Sequence, residues 1–212
     1  MTLTITNVMA ISLDGMIGKH ALESDVERRA YEFTNLDDRE YVREQLQHAD
    51  AVVTGANSLR ASQATWKVLN DRGVNPAWIV FTTQGIDASM EFWSQRDVRR
   101  VLVSPFPVNE ALCAKSGVEN WVFHEQAVEK VVAKLDNDGL RRVLLFGGGA
   151  INKLFYEKGF VDFAKITICP LIISGVNSPR FVNPGLSHPV HMECISSLLK
   201  GDLVFLTYKV KK

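Results

Sequence analysis

The chain has 212 residues, enough for one α/β domain with a substantial core and no need of a second. Lysines plus arginines equal aspartates plus glutamates at 24 each, so the formal net charge is zero and no global field favours nucleic acid or an anionic lipid surface. The uncharged stretch 166–179, as long as any in the chain, is too short to span a bilayer, and the first residues lack the basic start of a signal peptide.

Leu3, Ile5, Met9, Ile11 and Leu13 alternate with small polar residues, which predicts a strand broken only by Asn7 and closed by the turn pair Asp14-Gly15. A helix follows at about 37–49, with Val42, Leu46 and Ala49 on one face and Asp37 and Asp38 suiting its N-terminus. A buried strand, 51–54, runs into Gly55, then a short helix at 56–61 and an exposed loop anchored by Trp66. Strands are expected at 78–82, 98–103 and 118–123, and a helix at 125–135. The run 142–146 is a nearly continuous apolar strand that breaks at Gly147-Gly148-Gly149 and restarts as a helix. A strand at 161–169 precedes a hairpin, 190–199 with 203–210, turning at Lys200-Gly201-Asp202. Strands alternating with helices imply parallel β-α-β units, so the expected fold is a single-domain three-layer α/β/α sandwich with a mixed, mostly parallel sheet.

The three cysteines are odd in number, widely spaced and without a CxxC pair, which disfavours a disulfide framework or zinc site and favours a reducing compartment, the cytoplasm by default. His188 and His191 fall on opposite faces of a strand-like run, against shared metal ligation. Arg96, Arg99 and Arg100 read as a solvated charged edge. The serines lack a G-x-S-x-G elbow.

The glycine turn carries the chemistry. Residues 147–149 join a buried strand to a helix without any Cβ, so backbone can approach a ligand while free helix N–H groups and the dipole favour an anion. A phosphate or pyrophosphate is the natural guest. It is no Rossmann fingerprint: the sixth position is Asn152, not Gly, and no acid stands about 20 residues on. No Gly-Lys-Ser/Thr occurs, so a P-loop is excluded as well.

Three segments, in order and over nearly the whole chain, resemble the RibD C-terminal family, the reductase domain of bacterial riboflavin biosynthesis and a relative of dihydrofolate reductase. They are Met9–Gly18, which reads MAISLDGMIG; Ala49–Ser58, which reads ADAVVTGANS; and Leu144–Gly149 with Gly159–Asp162 and Ile166–Gly175. The resemblance implies a dihydrofolate-reductase-like fold, NADPH as cofactor, hydride transfer to a C=O or C=N carbon, and a homodimer. It places the nicotinamide against Ala10 with Ile17 and Gly18. The pyrophosphate would lie between Thr54-Gly55-Ala56 and Gly147 to Ile151. Candidates for the adenosine 2′-phosphate are Asn57, Ser58, Arg60, Thr82 and Thr83.

Asp14 reads either as a substrate-orienting acid or proton relay, or as a turn-forming Asp-Gly. Ser12 is either a substrate partner or the outward residue of its strand. Arg60, Lys67 and Trp66 are candidates to hold a substrate phosphate and stack on a ring. Two features of riboflavin-pathway members are replaced: Phe146 stands where an acid precedes the glycines, and 59–67 holds no Asp-Pro. The expected reaction is reduction of 5-amino-6-(5-phosphoribosylamino)uracil or a similar phosphorylated heterocycle, with no nucleic-acid or membrane partner. The alternatives are a pterin reductase, for which Glu27 and Glu32 are the nearest acids, and a non-catalytic NADP-binding regulator.

Overall fold

The computed structural model describes residues 2–212. Its elements run β1 (Thr4–Ser12), α1 (Asp25–Ala30), α2 (Leu36–Gln47), β2 (Ala51–Gly55), α3 (Ala56–Ser62), β3 (Ala77–Phe81), β4 (Arg100–Ser104), α4 (Glu110–Ser116), β5 (Glu119–Val122), α5 (Ala127–Asn137), β6 (Arg142–Phe146), α6 (Gly149–Glu157), β7 (Phe163–Cys169), β8 (Met192–Lys200) and β9 (Leu203–Val210). A single turn of 3₁₀-helix stands at Glu91–Ser94.

The strands form one nine-stranded sheet in the order β5-β4-β3-β2-β6-β1-β7-β9-β8. From β5 to β7 neighbours are parallel. The hairpin β8–β9 then closes the edge antiparallel. Every residue of β2, β3 and β4 is buried, as a parallel sheet covered on both faces demands. Val53, Ile79, Val101 and Leu145 point to one face, against Val131 and Leu135 of α5 and Phe155 of α6. Val52, Trp78 and Leu144 point to the other, where Leu46 of α2 meets them. Val80 and Leu102 share that second face with Leu59 of α3 and Cys113 of α4. Helices on both faces make the three-layer α/β/α sandwich expected from the strand–helix alternation.

Asn7 breaks the alternation of β1 for a physical reason. It is fully buried, its amide donates to the Leu145 carbonyl at 2.8 Å, and its oxygen accepts from the Tyr156 hydroxyl at 3.2 Å. The charged edge expected at 96–100 needs correction. Adjacent strand residues face opposite sides. Arg99 therefore pairs outside with Glu119 and Asp138, while Arg100 turns inward and is only 2% exposed. Its Nε, Nη1 and Nη2 donate to the carbonyls of Val98, Phe92 and Ser116 at 3.0, 2.6 and 2.7 Å.

Candidate active site

A cavity of about 850 Å³ opens along the carboxyl ends of β1, β2, β3, β4 and β6, where open α/β sheets bind ligands. It falls in the upper part of the ~300–1,000 Å³ range usual for small-molecule sites.

Two strand-to-helix junctions meet in it. Thr54 and Phe146 are register partners across β2 and β6, and the Thr54 hydroxyl donates to the Phe146 carbonyl at 2.7 Å. A Cβ added to Gly55 would lie 3.0 Å from Ile151 Cγ1, and one added to Gly148 would lie 3.8 Å from Ser58 Oγ. Junctions far apart in sequence are thus in contact. Gly55 and Gly148 stand at the N-caps of α3 and α6, and no side chain caps either helix. Ser24 and Asn35, by contrast, cap α1 and α2.

The three glycines of the turn have different reasons. A Cβ at Gly147 would lie 2.6 Å from Asn152 Oδ1, and one at Gly149 would strike the Arg180 carbonyl and Asn183. Protein fills those spaces. Gly148 has an ordinary φ of −67°, open to any residue, and no protein atom within 3.8 Å of its missing Cβ. What its lack of a side chain preserves is the cavity itself. Ala56, Asn57, Ser58, Ala150 and Ile151 line the same region. At its far side Arg60 donates to Asn57 Oδ1 and to the Gly85 carbonyl at 2.9 and 2.8 Å. The Thr82 hydroxyl donates to that carbonyl too, at 2.9 Å. Thr83 and His124 line this corner; nothing in the sequence pattern marked His124.

At the other end Ala10 and Ile17 line the cavity, whereas Gly18, Ser12 and Asp14 do not. Gly18 is buried against Glu23, whose Oε2 leaves no room for a Cβ. The Ser12 hydroxyl accepts from the Met16 amide at 3.0 Å and donates to Asp14 Oδ1 at 2.5 Å. Asp14 also accepts from the amides of Ile173 and Ser174 at 3.2 and 2.8 Å. The Ser12 bond above all holds its carboxyl below the usual range. Asp14 therefore clamps loop 171–174 to the end of β1. The same loop continues as a strap. Ile17 N–H donates to the Pro179 carbonyl, Phe181 N–H to Gly15 and Asn183 N–H to Gly149, at 2.8, 3.1 and 3.1 Å.

Arg60 and Trp66 both line the cavity but do not form a pair. Arg60 is engaged as described. Trp66, like Val42 of α2, packs against the core cluster of Val52, Trp78 and Leu144, and carries the Arg39 guanidinium 5.6 Å from its ring centroid. Lys67 pairs with Asp97 at 2.9 Å. Glu27 and Glu32 lie off the cavity, Glu27 closing the cap of α1. The acids lining it deeply are Glu23 and Asp38. Glu23 is a pin: it accepts from the Lys19 amide at 3.0 Å and the Tyr31 hydroxyl at 2.8 Å. Burial, then Glu23, raises the Tyr31 pKa. Asp38 differs. It is 6% exposed and its Oδ1 has no hydrogen-bond partner. Burial raises its pKa, against the Thr167 hydroxyl bond and the charge of Arg28, while Asp25 adds to the rise. A buried carboxyl oxygen left without a donor costs about 1–3 kcal/mol.

The model of the RibD C-terminal domain matches residues 3–205. The chain belongs to that family. It is 21% identical over 216 residues to the 2,5-diamino-6-ribosylamino-4(3H)-pyrimidinone 5′-phosphate reductase of Aquifex aeolicus (strain VF5), covering 96% of this chain and 94% of that protein. Its fold is similar to a pyrimidine reductase-like protein from Corynebacterium diphtheriae NCTC, with a TM-score of 0.83 at 19% identity, covering 99% and 92% of the two chains. Dihydrofolate reductase from Enterococcus faecalis, solved with NADP(H), shares the fold at a TM-score of 0.58 and 16% identity, covering 99% and 97%. The RibD C-terminal fold here is therefore dihydrofolate-reductase-like. Among the described residues no helix is long and apolar enough to cross a membrane.

Proposed function

We propose that this chain is an NADPH-dependent reductase of the riboflavin-pathway type, acting on a ribosylaminopyrimidine phosphate. The observation that carries this reading is the contact of the Gly55 and Gly147–Gly149 junctions within one cavity. The residues there fit a dinucleotide diphosphate. Gly148 keeps its Cβ space clear, the α6 start is free of a side-chain cap, and Ser58 Oγ stands opposite. An anion gains there from amides and dipole together.

NADPH, when bound, supplies a hydride to a C=N or C=O carbon. The chain's own residues do the rest. Residues 148–150 with Ser58 hold the diphosphate. Ala10 and Ile17 offer a small apolar wall for the nicotinamide, and Arg60, Asn57, Thr82 and Thr83 form the polar corner for the adenosine end. Segment 18–35, pinned by Glu23, and the strap through Pro179 and Asn183 keep water from the reacting carbon. Asp14 and Ser12 act as positioning residues for that strap.

The chain is cytoplasmic in this reading and works as a homodimer. The edge strand β8 supports a dimer: Ile195, Leu198 and Leu199 are 54%, 61% and 69% exposed on it. Edge strands with apolar faces need covering.

The test mixes the protein with NADPH and a ribosylaminopyrimidine phosphate and follows the absorbance of the reduced nicotinamide. Oxidation that depends on substrate is expected. Tight NADPH binding with no oxidation on ribosylaminopyrimidines or dihydrofolate would replace the enzyme with a nucleotide-binding regulator.

A further inference from the structure

A second recess, of about 420 Å³, opens at the amino end of β4, with Arg96, Asp97, Arg99, Arg100, Lys115 and Gly117 in its wall. It is separate from the large cavity, which meets β4 only at the other end, through Val103 and Ser104. Four of the six residues are cations. Arg99 is neutralised by Glu119 and Asp138, and the acid Asp97 is taken by Lys67. Arg96 and Lys115 are exposed and form no salt bridge among the described residues.

Arg100 is the decisive member. It is 2% exposed, yet every hydrogen-bond partner of its guanidinium is a neutral carbonyl. A buried charge is normally met by an opposite one. Arginine has five N–H donors. Here Nε, Nη1 and Nη2 donate once each, so Nη1 and Nη2 keep one N–H apiece. Two of the accepting carbonyls, those of Val98 and Ser116, belong to residues of the recess wall. Burial lowers the Arg100 pKa; Asp97 works against that, and the like charge of Arg96 adds to it. An anion between the two guanidinium groups would relieve both the repulsion and the missing counter-charge.

We propose that this recess binds a small phosphate-bearing anion, with Arg96, Arg100 and Lys115 as its donors. A phosphate monoester brings a charge of about −1.5 to −2 and three acceptor oxygens, enough to serve three cations at once. A carboxylate brings one charge and two oxygens. The source is free phosphate or a small phosphate ester. The site lies outside the cavity, so it stands whether or not the reductase reading does.

Calorimetry with inorganic phosphate and with glycerol 3-phosphate tests this, at fixed ionic strength and with NADP⁺ present to occupy the cavity. The wild-type protein should bind one anion with a Kd on the order of 1 mM or tighter. Its Tm should rise by roughly 3–6 °C at ten times that concentration. Arg96→Ala combined with Lys115→Ala removes two exposed cations. That protein should bind at least about 10-fold more weakly, with its anion-free Tm within about 2 °C of wild type. Lys209→Ala combined with Lys211→Ala takes the same charge from another surface and should leave Kd within about twofold. Tenfold tighter binding of either probe upholds the site and names the source. No saturable binding below about 10 mM overturns the proposal. So does unchanged affinity in the Arg96 and Lys115 variant, or an equal loss in the Lys209 and Lys211 variant. Should the first pair fail to fold, Arg96→Gln and Lys115→Gln singly must each weaken binding at least about threefold, or the proposal falls.

Discussion

Replacing Gly148 with alanine separates the cofactor reading from a purely structural one. At an N-cap, alanine in place of glycine loses a few tenths of a kcal/mol, and the stiffer unfolded chain returns about 0.4–1 kcal/mol. The backbone there is already in an ordinary conformation, and the new methyl would have no protein atom within 3.8 Å. Net stability should move by no more than about 0.5 kcal/mol, or roughly 1–2 °C in Tm for a chain of this size. The methyl does enter the cavity. Displacing a phosphate oxygen from one amide removes a charge-assisted bond worth about 1.5–3 kcal/mol. NADPH affinity should therefore fall about 10- to 150-fold. Fluorescence titration with NADPH and a thermal scan measure the two effects on the same sample. Gly149→Ala is the control: its methyl meets backbone and Asn183, so it should lower Tm sharply. Unchanged affinity in Gly148→Ala would remove the diphosphate from the turn. A fall in Tm matching that of Gly149→Ala would show that the glycine serves folding alone.

Arg100→Leu leaves the Phe92, Val98 and Ser116 carbonyls without their donor. It should lower stability by about 3–5 kcal/mol, or roughly 10 °C in Tm, while folded protein keeps its NADPH affinity; a shift under about 3 °C would contradict this. Asp50 gives an acid dependence. Burial works against its ionisation, but the Arg142 side chain and the amides of Arg141 and Arg142 outweigh it and lower its pKa. Its contribution is therefore full above the unfolded carboxylate value of about 3.9 and drains away as pH falls through the lower folded value. Asp50→Asn should flatten the acid limb of a Tm–pH curve, and parallel curves would refute the assignment. Leu198→Glu on β8 should convert a dimer to a monomer in sedimentation velocity; a wild-type monomer would exclude the pairing.

Most of the sheet was legible because its strands are either alternating or continuously apolar, and glycines mark where they end. The two junctions that meet in the cavity were legible for the same reason, since they are built from backbone at strand-to-helix turns. The acid-lined end of the cavity was not. Asp37 and Asp38 look alike as acids at a helix start, yet only Asp38 lies on the stripe of Val42 and Leu46 at i, i+4 and i+8. An acid on an apolar stripe was the available signal. α1 buries no residue, so only its Ser24–Glu27 capping box announced it. Arg99 and Arg100 carried a signal as well: neighbours in a strand cannot both face water. Asp14 stayed open between two readings because its partners lie in loop 171–174, which no local pattern could place.

The strap from 171 to 183 touches both ends of the cavity with main-chain bonds, to Gly15 and Ile17 at one and Gly149 at the other. Surface connections usually absorb extra residues without harm. This one is measured between two fixed posts. Some of its side chains pack inward, Phe181 against Tyr156 among them, and a single added or deleted residue would pull one post out of register, disturbing the Ile17 and Gly149 ends of the cavity together. Length, as much as composition, is what this segment has to keep.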